Sequence, residues 1–133
     1  PADVKSASLE QMVRECDAVS LHCDLNETSR GILSADLIRQ ASPALVLVNT
    51  ARGGLVDTRA ALKAVQRGGV SGLCLDVFPE EPADLRGFAD NERVFVSPHA
   101  AGYHSGLALL IRQGLVDAVR AWTSGEVPPH SVG

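Results

Sequence analysis

The sequence predicts an α/β fold: a doubly wound parallel sheet with helices between its strands. Three observations predict it. Four short apolar runs, residues 17–21, 44–48, 70–77 and 94–97, are near-continuous rather than alternating, the pattern of strands buried on both faces. Helical periodicity with start and stop signals lies before and between most of these runs. Aromatic residues make up only 4 % of the chain, so the core is built from Leu, Val and Ala, which suits small helix faces on a β-branched sheet.

The elements follow in order. Ser8 with Gln11 forms a capping-box pattern before Met12 and Val13 and opens the first helix. After the strand at 17–21, Ser34 with Asp36 in the first turn opens a short helix, which Pro43 keeps from running past Ala41. Asp57 is an N-cap for a helix to Arg67 with Ala61, Leu62 and Val65 on its buried face, and Gly68-Gly69 stops it. Residues 79–92 hold two prolines, a glycine and many charges, and read as a long surface loop of the kind that often carries function. Leu107, Leu110, Ile111, Leu115, Ala118, Val119 and Trp122 recur at three- and four-residue steps. They predict the longest helix, over 104–124, ended by Gly125 before Pro128-Pro129.

Composition excludes several classes. A chain of 133 residues holds one domain of ordinary size. The net charge of −4 and singly scattered Lys and Arg make no phosphate-binding stripe, so no direct nucleic-acid partner is expected. No run approaches the roughly 20 apolar residues that span a bilayer, and no secretory leader pattern opens the chain. Cys16, Cys23 and Cys74 cannot all pair, and no C-x-x-C occurs. Reduced, buried thiols in a cytoplasmic protein are expected. His99 and His104 are wrongly spaced for one helical face, and no metal site is expected.

In an open parallel sheet every strand ends on one edge, where ligands bind. Residues 23–29, 49–54, 76–82 and 98–102 should therefore converge. Arg52 stands there before Gly53-Gly54, which permit a sharp turn and close approach of a ligand or partner chain. Its guanidinium can hold a carboxylate bidentately, although a surface salt bridge is the commoner role for a lone arginine. His99 follows Pro98, and Asp76 and Glu81 flank Pro79. A carboxylate beside an imidazole fixes its tautomer and favours its charged form. Arg, Glu and His together can bind an anion, polarise its carbonyl and exchange a proton, as keto-acid reduction requires. No G-x-G-x-x-G is present: Gly68, Gly69 and Gly72 have the wrong spacing and precede a strand.

Three segments carry a family resemblance: residues 46–57 (VLVNTARGGLVD), 76–82 (DVFPEEP) and 97–102 (SPHAAG). In this order they resemble the D-isomer-specific 2-hydroxyacid dehydrogenases, whose nucleotide-binding domain is Rossmann-like. The resemblance implies catalytic roles for Arg52 on the substrate carboxylate and carbonyl, His99 as acid–base and Glu81 as its hydrogen-bond partner. It implies NAD as cofactor, with Asp76 at the nicotinamide end, Thr50, Ala51, Ala100 and Gly102 against it, and Cys23, Asn26 and Thr28 along its groove.

Leu21-His22-Cys23-Asp24-Leu25-Asn26 is similar to the C-terminal-binding-protein branch. That branch carries tryptophan where Gly102 stands, and Phe78 follows the ordinary dehydrogenase pattern. The family's glycine-rich first β-α-β unit and its substrate-domain segment find no counterpart in this sequence. The chain is thus expected to be the C-terminal part of a nucleotide-binding domain, inactive alone, with helix 104–124 packing toward the substrate domain.

Two functions follow from the resemblance. One is hydride transfer between NAD(H) and a small 2-keto or D-2-hydroxy acid by a homodimer in the cytoplasm. The other is an NAD(H)-sensing dimeric corepressor scaffold, nuclear in that case, with little turnover.

Overall fold

A computed structural model describes residues 4–88 and 90–127. The four expected strands form as β1 (Ala18–Leu21), β2 (Val46–Asn49), β3 (Gly72–Leu75) and β4 (Val94–Val96), in one sheet of order β1-β2-β3-β4. All pairs are parallel, and the register sets Leu21 beside Asn49, Asn49 beside Leu75 and Leu75 beside Val96. The last residues of four strands are therefore level, and the segments that follow them leave from one edge. The fold is the predicted parallel α/β sheet.

Local chemistry explains the helices of this sheet. α1 (Leu9–Glu15) begins where Ser8 Oγ accepts from the Gln11 N–H at 3.2 Å. Only half of the capping box forms, because the Gln11 carboxamide donates to Glu15 instead. α2 (Ala35–Ile38) is a single turn capped by Ser34 Oγ on the Leu37 N–H at 3.3 Å. α3 (Thr58–Gln66) is capped by Asp57 on the Ala60 N–H at 2.9 Å, and the chain leaves it through Gly68 at φ +73°. That left-handed conformation suits a residue without Cβ and ends the helix.

The core lies on one face of the sheet. Val19, Leu21, Leu47, Leu73 and Leu75 point there and join Val13 of α1, Leu37 and Ile38 of α2, and Ala61 and Val65 of α3 in one buried cluster. The expectation of strands buried on both faces fails. Ser20 is exposed, Val46, Val48 and Cys74 are half-buried, and Phe95 is 67 % exposed on the opposite face. An apolar run reports strand propensity on both its faces, but burial needs a packed neighbour, and the packed helices meet only one face. The cysteines follow the same correction: Cys16 and Cys23 are exposed and Cys74 is half-buried, all as free thiols.

The connection from β3 to β4 is the predicted loop, without a helix among its described residues. Phe78 is buried and meets Phe88 edge-to-face, with ring centroids 5.6 Å apart. This aromatic pair anchors the loop in place of a helix.

The chain divides into two compact units, Pro1–Ala101 and Gly102–Gly133. The second holds α4 (Leu107–Thr123), on which Leu109, Leu110, Leu115 and Trp122 are exposed. It ends as predicted before Gly125, with the Glu126 N–H bonded back to Ala121 O at 2.9 Å. The Pro128-Pro129 stop lies outside the described residues. No described helix is long and apolar enough to cross a membrane.

Candidate active site

The turn after β2 is braced from within. Asn49, 2 % exposed, accepts the Ala51 N–H on Oδ1 at 3.1 Å and donates from Nδ2 to Arg52 O at 2.9 Å. A buried carboxamide with both ends bonded fixes the backbone of residues 50–52. A 3-10 turn, Gly53–Leu55, follows. Gly53 faces its own chain: a Cβ there would lie 1.9 Å from the Phe78 carbonyl carbon. The close approach expected of a ligand or partner at this glycine is made instead by the 78–79 backbone, which seats the Arg52 turn on the segment leading to Glu81. Arg52 itself is exposed. Its Nη1 donates to Ala51 O at 2.6 Å, and it has no ion pair among the described residues. The surface salt bridge is thus not its role here.

The segment after β4 turns back over the end of β3. His99 has φ +54°, a left-handed conformation that a non-glycine residue keeps only when its surroundings impose it. Asp76 imposes it. The Asp76 carbonyl accepts the His99 N–H at 2.8 Å. The Asp76 carboxylate, 4 % exposed, accepts Ser97 Oγ and the Ala100 N–H on Oδ1 at 2.5 and 2.8 Å, and the Ala101 N–H on Oδ2 at 3.0 Å. Asp76, which the resemblance sets beside the nicotinamide, is therefore committed through its side chain to the loop that holds His99.

Burial pushes the Asp76 carboxyl up, and the hydrogen bonds from Ser97, Ala100 and Ala101 outweigh that, holding it below its usual 3.8. Its contribution to stability is complete above pH 3.8 and is lost as pH falls below that through the folded-state value. Asp76→Ala strands a hydroxyl and two backbone N–H groups, each worth about 1–3 kcal/mol if left unpaired. The variant is expected to melt several degrees lower and to lose part of the acid sensitivity of wild type, as thermal melts from neutral pH downward would read. A variant melting like wild type would contradict the clamp.

Glu81 completes the pair. Its Oε2 lies 2.7 Å from His99 Nδ1, and its Oε1 accepts the Phe78 N–H at 3.0 Å. The bond to His99, then that from Phe78, hold the Glu81 carboxyl below its usual 4.5. An ionised carboxylate only accepts, so Nδ1 carries the proton and Nε2 is left to give or take one. Both side chains stay partly exposed, at 50 % for His99 and 37 % for Glu81, open to a reactant.

Beyond the ends of β1 and β2 lies an open cavity of about 660 Å³, lined by Cys23, Thr50, Ala51 and Arg52 and also by His22, Asp24 and Leu25. A cavity of this size suits a small-molecule site. Asn26, by contrast, bonds within its own loop: Oδ1 accepts from the Thr28 and Ser29 N–H groups and from Thr28 Oγ1, and Nδ2 donates to Asp24. Asn26 and Thr28 thus do not line this cavity but brace the loop that carries Asp24.

As a cofactor site the edge fits in part. Small side chains at Thr50 and Ala51 beside an unpaired Arg52 leave room for a flat polar ring. A pyrophosphate wants a free helix N-terminus. The α3 N-terminus is occupied by the Asp57 carboxylate and that of α2 by Ser34, so neither helix offers the grip.

The edge brings Glu81, His99, Asp76 and Ala100 into one hydrogen-bonded cluster and sets Arg52, Thr50, Ala51 and Cys23 around the cavity. Gly102 opens the second unit and is not part of this cluster. Sequence reasoning passed over His22 and Ser97, and gave the close approach at Gly53 to a ligand or partner chain instead of the Phe78–Pro79 backbone. His22, whose Nε2 lies 2.9 Å from Ser20 Oγ, follows β1 directly. Position immediately after a strand was signal enough to include it.

The family model for the D-isomer specific 2-hydroxyacid dehydrogenase, NAD binding domain, matches residues 1–101. A glyoxylate reductase of Aeropyrum pernix is 34 % identical over 129 residues, covering 94 % of this chain and 38 % of that protein. Among solved structures, an NADPH-dependent glyoxylate/hydroxypyruvate reductase of Sinorhizobium meliloti, in complex with NADP and sulfate, is similar with TM-score 0.78 and 28 % identity. It covers 93 % of this chain and 40 % of that one. The NAD-complexed D-isomer specific 2-hydroxyacid dehydrogenase of Lactobacillus delbrueckii ssp. bulgaricus gives TM-score 0.78 and 26 % identity, over 95 % and 43 %. The chain thus spans well under half the length of these relatives, none of them a corepressor. Its first unit is matched from end to end, and the chain belongs to the D-isomer specific 2-hydroxyacid dehydrogenase family, whose NAD-binding domain it carries.

Proposed function

We propose that the whole protein interconverts a small 2-keto acid and its D-2-hydroxy acid with a nicotinamide cofactor, NAD(H) first among the candidates, and with glyoxylate as the first substrate to try. The observation that carries this is the Glu81–His99 pair on the same sheet edge as an unpaired Arg52. When bound, the cofactor supplies the hydride that reduces the keto carbon. Arg52 holds the substrate carboxylate and draws charge from the keto oxygen. His99 delivers a proton from Nε2 to that oxygen, and takes it back in the reverse direction. Glu81 holds Nδ1 and with it the orientation and tautomer of the ring, and Asp76 keeps the His99 backbone in place. The named reductases among the relatives support the enzyme over the scaffold, since recruitment alone has no use for the trio. The exposed leucines of α4 support its packing against the substrate domain in the whole protein.

The full-length protein is expected to oxidise NADH on addition of glyoxylate, pyruvate or hydroxypyruvate, followed by loss of nicotinamide absorbance. Absence of turnover on all three, with NADH and with NADPH, would overturn the proposal. Faster turnover with NADPH would reassign the cofactor and keep the reaction.

A further inference from the structure

Away from the sheet edge, α2 and α3 leave an open groove of about 420 Å³ between them. Its floor is small and apolar, with Ala35, Ala60 and Ala64 half-buried above Ile38. Its rim is cationic, carrying Arg39, Arg59, Lys63 and Arg67, all exposed. Along the sequence these residues stand singly. α3 assembles them, because Arg59, Lys63 and Arg67 follow at four-residue steps and so stand one above the other on one helix face.

The local carboxylates offset only part of this charge: Asp57, which also lines the groove while it caps the Ala60 N–H, and Asp36, ion-paired with Arg39, leave two of the four rim cations unbalanced. Arg59, Lys63 and Arg67 have no ion pair among the described residues. Like charges four apart on a helix repel. Lys63 and Arg67 are partly offset by the negative end of the helix dipole, whereas Arg59 sits in the first turn, where the dipole disfavours a cation. The fold thus has no use of its own for the complete stripe, in a chain whose net charge is −4.

We propose that the groove docks an acidic amphipathic helix of a partner protein. Its apolar face lies on the alanine floor, and its carboxylates, four residues apart, meet Arg59, Lys63 and Arg67. The stripe is about 12 Å long at 1.5 Å rise per residue, the length of two turns of a matching helix. The apolar floor selects a polypeptide over a phosphate chain: polyphosphate or nucleic acid would take the cations and leave the alanines bare.

The test uses the full-length protein and a fluorescein-labelled helical peptide of about 15 residues, with three glutamates at four-residue steps beside a leucine–alanine face. Fluorescence anisotropy is expected to show binding that weakens as salt rises. Affinity should fall at least about tenfold in Arg59→Glu/Lys63→Glu/Arg67→Glu and less in the corresponding glutamine variant. A peptide with serines for its leucines should bind more weakly, and keto-acid turnover should be unchanged throughout. Affinity unaltered in both charge variants, or tighter binding of inorganic polyphosphate or single-stranded DNA than of the peptide, would overturn the proposal. Because binding is read directly, neither result bears on the proposed dehydrogenase reaction.

Discussion

Gly53→Ala is expected to lose about 3 kcal/mol of stability or more, with catalytic competence lost alongside it. The new Cβ would lie 1.9 Å from the Phe78 carbonyl carbon, 2.2 Å from its oxygen and 2.4 Å from the Pro79 nitrogen. All three are backbone atoms, so no rotamer change relieves the clash. Either the Arg52 turn or the 78–79 segment must move, and each holds part of the site. A domain is stable by only about 5–15 kcal/mol, so a shift of this kind is felt as a large fall in Tm. Gly54→Ala is the control. Its Cβ would meet chiefly the Leu25 side chain, at 2.9 Å, which can swing aside, and the variant should stay close to wild type. Equal melting of wild type and Gly53→Ala would show that the turn and the loop are not in contact.

The second large effect belongs to His99→Ala. The full-length variant is expected to lose about 10²–10⁴-fold in kcat, the usual worth of a positioned acid–base. Its cofactor affinity and melting temperature should change little, since the imidazole is half-exposed and packs no core. Glu81→Gln should lose less, because an amide still accepts the Phe78 N–H while the charge opposite His99 is gone. Turnover that survives in His99→Ala would remove this histidine from the mechanism, and tighter or weaker cofactor binding would place it in the cofactor site instead.

What the sequence made legible is what is local. Ser8, Ser34 and Asp57 cap the helices they were expected to cap, because a cap involves residues three apart. The four strands and their shared edge followed from short apolar runs separated by helices and, between the last two, by a long loop. The long-range partners were not legible. Gly53 advertised a close approach without saying to what, and its neighbour is the backbone of Phe78. The partners of Asp76 were hidden as well: the Ala100 and Ala101 N–H groups belong to the backbone and leave no mark in residue types, and Ser97 lies 21 positions away in the sequence. Strand burial was overestimated for the same reason: Val48 and Phe95 are apolar whether or not a helix covers them. The cationic groove is the converse case, four scattered residues made into one surface by helical geometry.

The Asp76 clamp also bears on how this loop can vary. Asp76 grips Ala100 and Ala101 by their main-chain N–H groups and makes no demand on their side chains. Substitutions at these two positions can therefore accumulate without disturbing the backbone of His99, proline excepted, since it has no N–H to offer. The placement of His99 and the side-chain chemistry beside it are then separable: one rests on a fixed main chain, and the other is free to drift on the same short segment.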